Sequence, residues 1–221
     1  MEFPTVTKIR RGAILRTIAH SAWIVDNRSF LYEVSWDGTN YNRQDTQGAR
    51  GTVTFNEELI VGLFFDEHSK SNPFVKLDEY DFHKFMSNMP DAPRQIAYKE
   101  TSQYLLDNLN DVVMPIVTAA FWSEGSTVIG NAPFKLLLED GLRLIYLECL
   151  PDEEAIVSLQ EEYGLSDVQI SAIWTVFMYK ISVGYDSKIY LQKSTFPEIF
   201  PAGIDIDDSI SLLQAIGIFL I

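Results

Sequence analysis

Hydrophobic positions alternate with a period of two near the front of the chain and with a helical period towards the back. Phe30, Tyr32, Val34 and Trp36 alternate with Leu31, Glu33 and Ser35, the mark of a half-buried strand. Asp37-Gly38 then supplies a turn, because glycine reaches the positive φ that tight turns require. The polar run 39–50 reads as a loop or a weak edge strand. Gly51–Phe55 and Leu59–Phe65 are two further strands, and the short Asn56-Glu57-Glu58 spacer suits a hairpin. The second run is apolar on both faces, which predicts a central strand. Ahead of these strands, the stretch 6–25 is ambiguous: apolar residues at 14, 15, 18 and 22 fit a short helix, and a strand over 22–26 is the alternative.

Behind the strands, Asn72-Pro73 breaks a polar loop, and a short helix is expected over 77–87 with Leu77, Tyr80, Phe82 and Phe85. Pro90 and Pro93 mark the organisational boundary. From there Leu105, Leu109, Val112 and Ile116 repeat at helical spacing, so 101–122 is expected to be helical, with a kink or two abutting helices at Pro115. Asn131-Ala132-Pro133 resembles a helix start, and 142–150 fits helix or strand. Pro151-Asp152-Glu153-Glu154 opens a helix that Gly164 ends, and Ser166 with Gln169 forms a capping box for the next helix, to about Ile181. A last apolar helix is expected over Ile210–Ile221.

Strands in one run and helices in another give an α+β class: a small antiparallel sheet in the N-terminal half followed by a helical C-terminal half. The expected organisation is a strand-rich region 1–95 and an acidic helical region 96–221, packed as one globular unit.

Charge changes the picture. Of the formal net charge of −14, residues 101–221 carry −12, from 5 Lys/Arg against 17 Asp/Glu. That half repels phosphate backbones and attracts basic partners, so nucleic-acid binding is disfavoured. The start, Met1-Glu2-Phe3-Pro4, has no basic segment followed by an apolar one, and no window resembles a membrane span. The single cysteine, Cys149, lies in an apolar run and reads as an inert thiol. A cytoplasmic protein is the expectation.

Four groups of residues are candidates for function. The segment from Ser158 through Gly164 to Trp174 has the layout of a helix-turn-helix. Its second helix, however, offers Asp167, Gln169 and Ser171 and no basic residue before Lys180, so a plain helical hairpin is the expected reading. Lys8, Arg10, Arg11 and Arg16 form a basic cluster suited to a solvated face or to pairing with the protein's own acidic half. Asp66, Glu67 and His68, followed by Asp78, Asp81 and His83, are of the right types for a metal or acid–base site, but their spacing matches no ligand signature. Trp36 and Tyr41 flank the Asp37-Gly38 turn and are candidates for a recognition groove, set against burial in the core and a plain loop position.

With no nucleophile elbow, no phosphate-binding loop and only three histidines, the pattern leans away from enzymes and implies no cofactor and no metal. It points to a protein-binding module, of the inhibitor or immunity type, whose Glu153, Glu154, Glu161 and Glu162 meet a basic protein, with Trp36 and Tyr41 as further contacts. A metal-assisted hydrolase at the Asp66-Glu67-His68 loop and a helix-turn-helix regulator are the alternatives. The apolar C-terminal helix is a possible route to a homo-oligomer, and no membrane partner is expected.

Overall fold

The computed structural model describes residues 3–57, 59–75 and 80–221. Along the chain run α1 (Val6–Trp23), β1 (Val34–Asp37), β2 (Asn40–Gln44), β3 (Ala49–Phe55), β4 (Ile60–Asp66) and α2 (Asp91–Lys99). Then come β5 (Leu106–Leu109), β6 (Val112–Pro115), β7 (Ala119–Glu124), β8 (Thr127–Gly130) and α3 (Phe134–Glu139). The last elements are α4 (Asp152–Tyr163), α5 (Asp167–Val183), β9 (Ile189–Leu191), α6 (Asp207–Ala215) and β10 (Ile218–Leu220). The class is α+β, with the antiparallel sheet in the N-terminal half and α4, α5 and α6 behind it in sequence.

The chain forms two compact units, and each draws on separate segments. One comprises 1–7 and 39–146, the other 8–38 and 147–221.

In the first unit, strands run in the order β2-β3-β4-β7-β8, each antiparallel to its neighbour. Every residue of β4 is buried, as its two-sided apolar pattern predicts for a central strand. Glycines make room for aromatic rings across the ladder. Gly51 lies opposite Phe64 and Gly62 opposite Phe121, and a Cβ at either glycine would meet the facing ring at 2.0 and 2.3 Å. On the other face Val61, Leu63 and Phe65 join Met86, Met89, Ile116, Val117 and Trp122 in one core.

The helix expected over 101–122 is not formed. A 3-10 turn (Thr101–Leu105) leads instead into the β5–β6 hairpin and then β7. Asn110 and Asp111 both take positive φ, at 52° and 65°, which is the turn geometry that matches strand twist. Val112, Val113 and Val117 are β-branched and favour strands, and Pro115 sits at a strand end. Leu105, Leu109, Val112 and Ile116 satisfy the helical period only by coincidence of spacing. In the segment expected as a helix over 77–87, a 3-10 turn covers Phe82–Met86, while Leu77 and Asp78 lie outside the described residues.

In the second unit α1, α4, α5 and α6 surround a core that includes Ile14, Leu15, Ile18, Leu159, Ile173 and Phe177. Gly164 ends α4 at φ 63°, and the Ser166–Gln169 capping box opens α5, both as expected. Two expectations need correction. Arg28–Glu33 is a 3-10 turn rather than the start of a strand, with Phe30 packed on Trp23 at 5.1 Å between ring centroids. The apolar C-terminal helix stops at Ala215. Gly217 turns the chain at φ 76°, and β10 pairs in parallel with β9.

Gly12 marks a close approach of backbone to backbone. A Cβ there would lie 2.3 Å from the Cα of Glu148. Gly12→Ala is therefore expected to overpack a backbone contact and to cost about 2–3 kcal/mol. Gly164→Ala has open space around it and costs only the strain of the left-handed backbone, about 1 kcal/mol. Urea midpoints of the two variants, compared with the parent, check the ranking.

Candidate functional site

The Asp66-Glu67-His68 segment follows β4, where the chain leaves the sheet. Asp66 is 1% exposed. Its Oδ1 accepts the His68 backbone N–H at 2.9 Å, and its Oδ2 accepts Arg143 Nε–H at 2.8 Å. Arg143 also reaches Asp45 Oδ2 at 2.7 Å, so one guanidinium bridges two carboxylates. Burial on its own would raise the Asp45 carboxyl, but N–H bonds from Ala49 and Gln47 and the Arg143 charge outweigh it and hold it below the ordinary range. Glu67 and His68 are exposed, with Oε1 and Nε2 3.5 Å apart. Asp66 is thus committed to closing a turn and neutralising Arg143. Among the described residues no group of three or more His, Cys, Asp or Glu is placed to hold a metal ion.

Asp81 and His83 belong to a different place. They line an open pocket of about 320 Å³ with Lys84, Met86, Arg94 and Tyr98, and none of Asp66, Glu67 and His68 lines it. Asp81 caps the 3-10 turn by accepting the His83 N–H at 3.0 Å, and His83 Nδ1 meets the Tyr98 hydroxyl at 2.5 Å.

The helical hairpin α4–α5 carries the acidic candidates. Carboxylates crowd the first turn of α4, where the helix dipole favours them: Asp152, Glu153 and Glu154. Asp152 is taken by Arg11, whose guanidinium is held above its usual range chiefly by that hydrogen bond. Glu162 is taken by Arg16, at 2.6 Å. Glu153, Glu154 and Glu161 are exposed and make no ion pair among the described residues. Glu153, Val157 and Glu161 recur at intervals of four, which places them on one stripe of α4. Val157 is 54% exposed and Val168, in the first turn of α5, is 58% exposed. The outward-facing combination is therefore three unpaired carboxylates with two bare valines. The pairing of Glu162 and the bare valines were not readable from charge alone.

The three arginines of the basic cluster are spent internally. Arg10 pairs with Asp186 at 2.5 Å, Arg11 with Asp152, and Arg16 with Glu148 and Glu162. Arg28 reaches Asp205 at 3.0 Å and Asp208 at 2.7 Å.

Of the two aromatic candidates, Tyr41 is fully buried in β2, so its ring offers no surface to a partner. Trp36 is half-buried at the end of β1, with its Nε1–H donated to Thr17 Oγ1 at 2.9 Å. It lines an apolar groove together with residues of α6. Cys149 is partly buried, and desolvation pushes its thiol far above the ordinary range, which leaves it un-ionised and unreactive.

No protein-family model matches the chain, and neither the curated proteins nor the solved structures contain a match to it.

Arg143→Met would leave buried Asp66 without its counter-charge and is expected to cost about 3 kcal/mol in chemical unfolding. The depressed Asp45 carboxyl adds a pH signature. Its stabilisation is complete above the unfolded carboxyl value and is lost as pH falls through the lower folded value. Asp45→Asn should therefore be less stable than the parent near neutral pH, and the two should converge in acid, as unfolding curves taken across the acid range will show.

Proposed function

We propose that this chain is a non-enzymatic protein-binding module that docks a basic protein on the outer face of the α4–α5 hairpin. The carrying observation is the stripe of Glu153, Glu154 and Glu161, left unpaired while the neighbouring Asp152 and Glu162 are neutralised by α1. Unpaired carboxylates steer a cationic partner and speed its arrival. Val157 and Val168 add apolar area that such a partner covers on docking. An inhibitor or immunity-type antagonist of a cationic toxin or nuclease, acting in the cytoplasm, fits this chemistry. No helix of the described residues is long and apolar enough to cross a membrane. The second helix of the hairpin spends Gln169 on the capping box and Asp167 on Gln160, and it brings no cation to its first turns, so a DNA-reading role is not favoured.

The test is capture of partners from the source cell's lysate at low salt, with elution by a salt gradient and identification by mass spectrometry. The expected result is a basic protein that elutes as salt rises. Its affinity should drop about tenfold or more in the triple variant Glu153→Gln, Glu154→Gln, Glu161→Gln. Binding that is indifferent both to salt and to the triple variant would overturn the proposal.

A further inference from the structure

A groove of about 490 Å³ opens where the segment ending in β1 meets α6, within the size range of small-molecule sites. Leu31, Val34 and the Trp36 ring line it from the first element, and Leu212 and Ala215 from α6. Tyr32, 45% exposed, adds a second aromatic ring. The polar groups of the lining that have fixed partners have already spent their donors. Trp36 Nε1–H goes to Thr17, and the Ser211 hydroxyl donates to the Asp207 carbonyl at 2.9 Å. What these groups leave for a ligand is acceptors: the Ser211 Oγ lone pairs and the Asp208 carboxylate. Both Arg28 N–H bonds to Asp208 fall on Oδ2, which leaves Oδ1 to accept another. The same guanidinium is shared with Asp205, so the trio of Arg28, Asp205 and Asp208 keeps a net negative charge at the rim.

We propose that this groove binds a small organic cation, an amine or guanidine carrying a compact apolar body. The apolar body covers Leu31, Val34, Leu212 and Ala215, the N–H donors meet Asp208 Oδ1 and Ser211 Oγ, and the aromatic faces of Trp36 and Tyr32 attract the charge further. An anionic ligand of the same shape finds repulsion from the net negative charge at the rim. This site is separate from the acidic stripe of α4 in its residues, its ligand and its test.

The test uses the full chain, isotope-labelled for NMR and titrated with two probes of matched shape and opposite charge, 2-phenylethylamine and 3-phenylpropanoate. The expected result is a saturable shift of the Trp36 indole N–H and of the Ser211 and Ala215 amides with the amine. That binding should be at least about tenfold tighter than any response to the carboxylate. Ala215 is exposed, so Ala215→Phe fills the groove without entering the core and should abolish the amine response while the rest of the spectrum stays in place. Asp208→Asn should keep the fold and erase the preference for the amine. No saturable shift with the amine, equal response to both probes, or an amine response that survives Ala215→Phe would each overturn the proposal.

Discussion

Arg16 is a cation with its side chain 3% exposed, held between carboxylates that arrive from far along the chain. Its Nε lies 2.8 Å from Glu148, and its terminal nitrogen lies 2.6 Å from Glu162 and 3.0 Å from the Tyr163 hydroxyl. Tyr163 in turn meets His20 Nδ1 at 3.2 Å and stacks on Trp23 at 4.7 Å. A buried charge is tolerated only where its partners are fixed, and removing one from such a pair costs about 3–5 kcal/mol. Gly12 fixes them. It sits one helical turn before Arg16, on the same face of α1, and its missing side chain lets the backbone of Glu148 come against the helix. With α1 anchored there, Arg10 and Arg11 fall opposite Asp186 and Asp152.

This anchoring redistributes the charge. Read along the sequence, the back half holds nearly all of the negative excess. The unit that α1 joins carries 8 Lys/Arg against 15 Asp/Glu, net −7, which is half of the total. The long-range field is therefore weaker than linear counting implies, and attraction is concentrated in the few carboxylates that α1 does not reach. What this hairpin offers to solvent is leftover charge rather than total charge.

Local signals were legible where one residue type has one physical use. The glycine that ends α4, the Ser166–Gln169 box and the two-sided apolar run of β4 are of this kind, and each has its expected form. The strands β5 to β7 were hidden because their apolar residues satisfy two periods at once. The deciding feature was the Asn110-Asp111 turn, which lacks the glycine that advertises such turns. The end of α6 was hidden in a similar way, since a single glycine converts an apolar helix tail into a strand. For the sites, charge and residue type singled out the α4–α5 hairpin before its contacts were known. Which carboxylates are spent depends on contacts such as that of Arg16 with Glu162, 146 residues away, and no local pattern carries that information.

The interleaving of the two units has a consequence for how the protein is made. Residues 8–38 leave the ribosome ahead of their partners, which begin at residue 147. Until then α1 presents Ile14, Leu15 and Ile18 with three arginines and no carboxylates to meet them, while the whole intervening unit is synthesised. Closing so long a loop is slow compared with local folding. The first unit is thus free to fold first, and the nascent chain carries a cationic, sticky helix that sequences of its own making must eventually mask. A premature stop anywhere before α4 leaves that helix permanently without its counterpart, so such fragments are natural clients for chaperones and proteases.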